Sequence, residues 1–230
     1  THLRFPFLPS YTVGVTLACC LQLFNQSYPT IKRCRDMTSN QDNTQNQDFI
    51  QQLLAPERAQ RQDTFAIMTF SELSDRDTVA DIGCGPGYFT IPLAKGLSHG
   101  KLYALDINDE MLEACRQRVT EERLGNVEVL KCGEFDFSVE AGSLNGVFLA
   151  FVLHDSPDRV RFLQAVRALL GPRDWCTILE WYRRETETGP PLERRVDPDE
   201  LRALATEAGF RYLTTRKLNS DQYMATLRNG

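Results

Sequence analysis

From residue 48 onward the apolar positions switch repeatedly between two periods. Runs that are apolar throughout or alternate every second residue stand at 79–82, 101–106, 126–131, 144–151, 175–181, 210–218 and 222–227, and predict strands. Between them the spacing is helical: Phe49, Ile50, Leu53 and Leu54; Phe65, Ile67, Met68, Phe70 and Leu73; Met111, Leu112, Cys115, Val119 and Leu124; Val160, Phe162, Leu163, Val166, Leu169 and Leu170. A further helix is expected over 197–208. Punctuation agrees with this division. Pro56 opens a second helical piece as its first residue, Asn108 is placed to cap a helix, and Gly125, Gly171-Pro172 and Gly209 each close one. Strands alternating with helices predict an α/β fold: a doubly wound, mainly parallel sheet with right-handed crossovers and helices on both faces.

Length and composition fit one such domain with a leader. The 230 residues are 42% hydrophobic and 25% charged, with a net charge of −5. The leader holds Arg4, Lys32, Arg33 and Arg35 against Asp36, so the body is more acidic than the whole. That balance argues against a nucleic-acid partner, whose phosphates require Lys and Arg. Seven cysteines contain no C-x-x-C pair, which predicts neither a disulfide framework nor a metal site, and isolated cysteines at strand-like positions read as small core residues. A reducing cytoplasm is the expected location. The uncharged run at 11–24 is shorter than the roughly 20 residues of a spanning helix, so no stable membrane insertion is expected. Met37 opens a polar stretch that reads as a natural start. Residues 1–36 are therefore expected to be an extension with no part in the fold, with a targeting or membrane-associating segment as the other reading, and the whole of residues 1–47 to stand outside the folded domain.

Candidate chemistry concentrates at 79–90, where a short apolar run ends at Asp81 and gives way to Gly83, Gly85 and Gly87. Glycines let the backbone take positive φ and let a ligand lie against bare amides. Pro86 and Thr90 lead into a helix whose first N–H groups lack intrahelical acceptors. The spacing is D-x-G-x-G-x-G, whereas a dinucleotide turn is G-x-G-x-x-G. A carboxylate at the strand end repels phosphate and suits a cationic amino-acid ligand.

The stretch resembles the first motif of class I S-adenosylmethionine-dependent methyltransferases, in which this loop holds the methionine half of the cofactor and the leading acid contacts it. The resemblance covers 48–230, the expected methyltransferase domain, and implies a seven-stranded sheet whose last strand enters antiparallel. It implies S-adenosylmethionine as cofactor, with Asp81, Gly83, Gly85 and Gly87 at the methionine end. At the end of the second strand, Asp106 is placed to accept hydrogen bonds from ribose hydroxyls and Ile107 to stack on the purine. Glu134 and Phe135, past the third strand, stand where the family contacts the adenine amine. Val-Leu-His at 152–154 and the Glu-Trp, Gly-Pro-Pro and Arg pattern over 180–195 are similar to quinone-biosynthesis methyltransferases of the UbiE type.

A sulfonium methyl is already activated, so the protein's task is alignment and exclusion of water, with no obligatory catalytic dyad. His154 is the candidate proton acceptor, against the plainer reading of a loop-ordering histidine. Trp181 and Tyr182 read either as core or as pocket walls. The charged loop of Arg183, Arg184, Glu185, Arg194 and Arg195 is expected to be solvated, with a grip on an acidic substrate as the lesser reading. The function expected is methyl transfer to a small-molecule acceptor. A non-catalytic cofactor-binding or partner protein is the alternative, and a nicotinamide oxidoreductase a more distant one.

Overall fold

The computed structural model describes the chain from residue 40 to residue 230, with side chains from residue 46. The apolar run at 11–24 and most of the expected N-terminal extension lie outside the described residues. Three helices lead: α1 (Asn40–Leu54), α2 (Pro56–Arg61) and α3 (Thr64–Phe70). The periodicity predicted two helical pieces here. The additional break falls at Gln62-Asp63, where the Asp63 carboxylate accepts the N–H groups of Phe65 (3.0 Å) and Ala66 (3.1 Å) and so caps a new helix.

The alternating part follows as β1 (Thr78–Ile82), α4 (Thr90–Gly96), β2 (Lys101–Asp106), α5 (Asp109–Glu121), β3 (Val127–Lys131), β4 (Leu144–Ala150), α6 (Arg159–Leu169) and β5 (Leu170–Trp181). It closes with α7 (Pro198–Glu207), β6 (Phe210–Lys217) and β7 (Gln222–Asn229). Strand order is β3-β2-β1-β4-β5-β7-β6. The first five strands pair in parallel, and β7 runs antiparallel to both of its neighbours. The predicted seven-stranded sheet with an antiparallel final strand is thus present. β5 starts earlier than its apolar run, because Leu170 pairs with Leu144 before the bulge that leads to Gly146 and Trp175.

Alternation along each strand divides the core. Ala80, Ile82, Val147, Leu149, Ile178 and Tyr223 face α6 and α7, where Phe162, Leu163, Val166 and Leu201 meet them. Val79, Leu102, Phe148, Leu179 and Met224 face the other way, onto Ile67 of α3, Leu93 of α4 and Leu97 just past its end. Each such side chain contributes about 1.5–3 kcal/mol when fully buried. Cys84, Cys115, Cys132 and Cys176 are all buried free thiols. Parallel pairing brings the carboxyl ends of β1, β2, β4 and β5 to one edge. The strand order reverses between β1 and β4, the place where open α/β sheets receive ligands.

Candidate active site

The turn after β1 is held open by backbone conformation. Gly83, Gly85 and Gly87 have φ of 72°, 53° and 85°. At Gly83 a Cβ would lie 2.3 Å from Val152 Cγ2, so only glycine fits between β1 and the segment leaving β4. The N–H groups of Gly83 and Cys84 both donate to the Leu105 carbonyl, at 2.7 and 3.0 Å, which ties the turn to β2. A Cβ on Gly85 would meet only Leu53 Cδ1, at 4.0 Å, so this face of the turn is open apart from α1 above it.

Two carboxylates flank the turn. Asp81 is buried, and its Oδ2 accepts the Thr90 hydroxyl at 2.6 Å. Burial raises its pKa to about 7; the Thr90 bond and the nearby Arg58 cation oppose the rise, and the Asp106 charge adds to it. Asp106 joins two turns: Oδ2 accepts the Gly85 N–H and Oδ1 the Asn108 N–H, each at 2.9 Å. Its pKa is raised by burial and held back by those amides and that of Ile107. Asn108 in turn accepts from Glu110 N–H at 2.8 Å and caps α5 as its position predicted. Ile107 is half exposed beside this junction.

Past β3, Cys132 N–H donates to the Asp106 carbonyl at 3.0 Å, which brings this segment alongside the end of β2. Glu134 is exposed there. Phe135 packs against the α6 side of the core, with the Arg161 guanidinium 4.3 Å from its ring centre. Asp81, the three glycines, Asp106 and Ile107 therefore converge, whereas the Phe135 ring is engaged by α6.

The helices before β1 cover the turn. Arg58 of α2 lies 4.2 Å from the Tyr88 ring centre and donates to the Leu53 carbonyl (2.8 Å) and Gln62 Oε1 (2.6 Å). Gln62 Nε2 reaches Gln222 Oε1 of β7 at 3.2 Å. No period in the sequence marks Arg58 as a neighbour of Asp81.

His154 lies in the 3-10 turn Leu153–Asp155 that follows β4 and is buried. Its Nδ1 is 2.9 Å from Glu180 Oε2 and 3.2 Å from Oε1, and its backbone N–H donates to Oε1 at 3.0 Å. Glu180, at the end of β5, is fully buried. The sequence marks it as the acid that opens the 180–195 pattern, with nothing to pair it with His154. Phe151, just before, holds φ of 62°, an uncommon conformation for an aromatic residue, and its ring lies 5.8 Å from that of Trp181. Trp181 is buried, Tyr182 half-buried against Tyr223.

Of the charged loop expected to be solvated, Arg183, Arg184 and Glu185 are exposed and Arg194 is half-buried, whereas Arg195 departs from the expectation. Arg195 is 3% exposed; its guanidinium donates to the carbonyls of Pro190 (2.8 Å), Arg184 (2.5 Å) and Thr188 (3.2 Å) and to the Thr186 hydroxyl (2.7 Å). A loop without a ladder of its own leaves carbonyls to satisfy, and the five-donor fork of an arginine does so from inside. Arg183 pairs with Glu200 and Arg194 with Asp155.

The turn fits a nucleoside-bearing amino acid such as S-adenosylmethionine. Its glycine cradle is open to a ligand at Gly85, and the buried Asp81 has a raised pKa, which a cation would reverse. Among the described residues no group of three or more His, Cys, Asp and Glu is placed to hold a metal ion. None of the described helices is long and apolar enough to cross a membrane.

Residues 79–173 match a family model described as a methyltransferase domain. A demethylmenaquinone methyltransferase of Lactococcus lactis is 28% identical over 104 residues, 45% of this chain and 41% of that protein. One from Bacillus mycoides is 28% identical over 124 residues, 54% of this chain and 51% of that protein. The chain thus spans about half the length of the curated relatives it matches. A SAM-dependent methyltransferase from Aquifex aeolicus superposes with a TM-score of 0.76 at 26% identity, covering 80% of this chain and 98% of that one. The [4+2]-cyclase SpnF superposes with a TM-score of 0.66 at 13% identity over 75% of this chain and 82% of its own, a likeness of fold alone.

Proposed function

We propose that this chain, a class I S-adenosylmethionine-dependent methyltransferase by fold and domain signature, transfers a methyl group to a small-molecule acceptor. The observation that carries the reading is the pairing of the open glycine turn with the buried Asp81. When bound, S-adenosylmethionine supplies a methyl group already activated by its sulfonium.

The chain's own residues bind and orient. Asp81, with Gly83, Gly85 and Gly87, takes the cationic methionine end. Asp106 accepts the ribose hydroxyls with the lone pairs left beside its two amide partners, since a carboxylate has about four acceptor sites. Ile107 covers the purine, and Glu134, with Phe135 behind it, lines the adenine edge. Arg58, Tyr88 and Gln62 close the turn against water from the α2 side. His154, anchored on Glu180, accepts a proton from the acceptor. Demethylmenaquinone, named in the relatives, is the first acceptor to test, in its reduced hydroxyl form. The acidic body, net −5 for the whole chain, favours a small molecule over a nucleic acid.

Calorimetry with S-adenosylmethionine, S-adenosylhomocysteine and NAD tests the cofactor half. Binding of the first two without NAD is expected, and binding of NAD alone would return the turn to nicotinamide chemistry. Transfer of label from [methyl-14C]S-adenosylmethionine to a panel of hydroquinones, phenols, amines and thiols tests the acceptor half. Cofactor binding without transfer to any of them would leave a cofactor-binding partner protein instead.

A further inference from the structure

Glu180 is a fully buried carboxylate at this edge of the sheet. An ionised carboxylate brought fully out of water carries a penalty of several kcal/mol unless its oxygens are satisfied, and apolar residues of similar size are often more stable there. Its neighbours on β5 are Leu179 and Trp181, and Tyr223 stands opposite on β7. Its oxygens are spent almost wholly on one residue: the His154 N–H at 3.0 Å and His154 Nδ1 at 2.9 Å, with the Trp181 N–H at 3.2 Å as the remaining contact. An acceptor-only group so close to Nδ1 requires the ring proton there.

The other ring nitrogen is differently placed. Nε2 lies 3.5 Å from Asp155 Oδ1, beyond the usual range of a hydrogen bond, and Asp155 is already paired with Arg194. Tyr223 stands opposite Glu180, with Asp197 and Glu200 also on this side; its hydroxyl donates to the Val196 carbonyl at 2.7 Å, and burial pushes its ionisation far up, so it brings no charge. Val152, two residues before His154, packs on Gly83. The imidazole is therefore mounted on the turn that receives the cofactor.

We propose that Glu180 is the positioning residue for His154: it fixes the imidazole with its proton on Nδ1 and keeps the lone pair on Nε2 for a hydroxyl-bearing aromatic acceptor. This rests on the methyltransferase reading above and deepens it by naming the acceptor class. The step is a proton transfer. The acceptor O–H bond breaks, its electron pair stays on oxygen, the proton bonds to Nε2, and the resulting imidazolium is stabilised by the Glu180 carboxylate until it releases the proton to water. Phenols and hydroquinones meet this requirement: their hydroxyls are too weakly acidic to ionise unaided at neutral pH, yet close enough to be deprotonated by an imidazole. Deprotonation enriches both the oxygen and the ring carbons beside it, so the class holds whichever atom receives the methyl.

The test uses the full chain, 1,4-naphthohydroquinone under argon as acceptor, and the variants E180Q, H154Q and E180Q/H154Q. E180Q keeps the shape and removes the charge. Expected at pH 7 is a tenfold to hundredfold loss of kcat, with acceptor KM and S-adenosylhomocysteine affinity within about twofold of the parent. The deficit should shrink as pH rises toward the acceptor's own ionisation, and the double variant should be no slower than H154Q. An E180Q enzyme with unchanged kcat, or with the same loss at every pH and an additive loss in the double variant, would overturn the proposal. Nitrogen-15 chemical shifts of His154 give a readout independent of turnover. A protonated Nδ1 and a bare Nε2 at pH 8 are expected, with E180Q mixing the tautomers. A proton on Nε2 in the parent would sink the positioning role even if methyl transfer proceeds. Absence of transfer to 1,4-naphthohydroquinone by a parent that shows the expected tautomer and binds S-adenosylhomocysteine would overturn the acceptor class, whereas absence of transfer to every member of the wider panel would overturn the methyltransferase reading.

Discussion

Asp81 and Asp106 are both buried carboxylates at the glycine turn, but they differ in their local partners. Asp81 has one side-chain donor, Thr90, and a pKa raised to about 7 by burial. The unfolded carboxyl releases its proton near 3.8. Between those two pH values the folded state holds the additional proton, so this group makes the ligand-free protein less stable as pH rises through the window. A cationic ligand needs the charged form, so cofactor affinity should fall below pH 7, approaching tenfold per pH unit. D81N should flatten both trends: weaker binding with little pH dependence in calorimetry, and a ligand-free melting temperature above that of the parent at pH 8. A parent affinity constant from pH 6 to pH 8 would show that Asp81 does not meet the ligand's cation. Asp106 should respond oppositely. Its oxygens accept the Gly85 and Asn108 amides, so D106A removes two charge-assisted bonds of about 1.5–3 kcal/mol each and should lower the melting temperature. It should also weaken S-adenosylmethionine and S-adenosylhomocysteine alike by about tenfold to a hundredfold if the ribose contact is there. Equal affinity for the parent and a folded D106A would remove the ribose assignment.

Elements meet at Gly83, where the end of β1 touches Val152 beyond β4. Alanine there is strained twice, by φ of 72° and by the 2.3 Å approach of Val152 Cγ2. G83A should cost about 1–2 kcal/mol for the left-handed backbone and a further 1–3 for the overlap. In urea denaturation V152A should recover only the second part; full recovery would mean that the backbone strain is negligible. The turn itself was legible in the sequence, because D-x-G-x-G-x-G after an apolar run has a mechanical meaning at short range, as does Asn108 ahead of a helix. Strand alternation likewise marked the seven strands. What the sequence hid is what strand order creates. Glu180 reaches His154 only because β4 and β5 are neighbours, and Arg58 approaches Asp81 only because α2 folds back over the turn. Arg195 was misread as solvated because composition cannot show which member of a charge cluster turns inward to carry carbonyls. The break at Gln62-Asp63 was missed because a seven-residue helix leaves too short a pattern, although its Asp cap was in plain view.

At the scale of the whole molecule, the described domain is one sheet with helices on both faces, and the site is at the edge where β1, β2, β4 and β5 end. A ligand seated there as proposed would touch the turn after β1, the junction at Asp106 and the covering α2 together, so its binding energy would be shared by elements far apart in sequence. Ligand linkage then acts on the cooperative unfolding of the domain. At a concentration one hundred times the dissociation constant, a ligand that binds only the folded state adds about 2.7 kcal/mol. For a domain of this size each kcal/mol raises the melting temperature by about 2–4 °C, so saturating S-adenosylhomocysteine should raise it by about 5–11 °C. NAD should leave it unchanged, since its pyrophosphate would meet the Asp81 and Asp106 carboxylates. The neutral product cofactor is the better probe of the pair for a thermal scan, because it carries no reactive sulfonium yet keeps the amino-acid and ribose ends proposed to meet these residues. A rise with NAD and none with S-adenosylhomocysteine would place a phosphate at the turn, and the carboxylate-flanked cradle would then need another explanation than a methionine-bearing ligand.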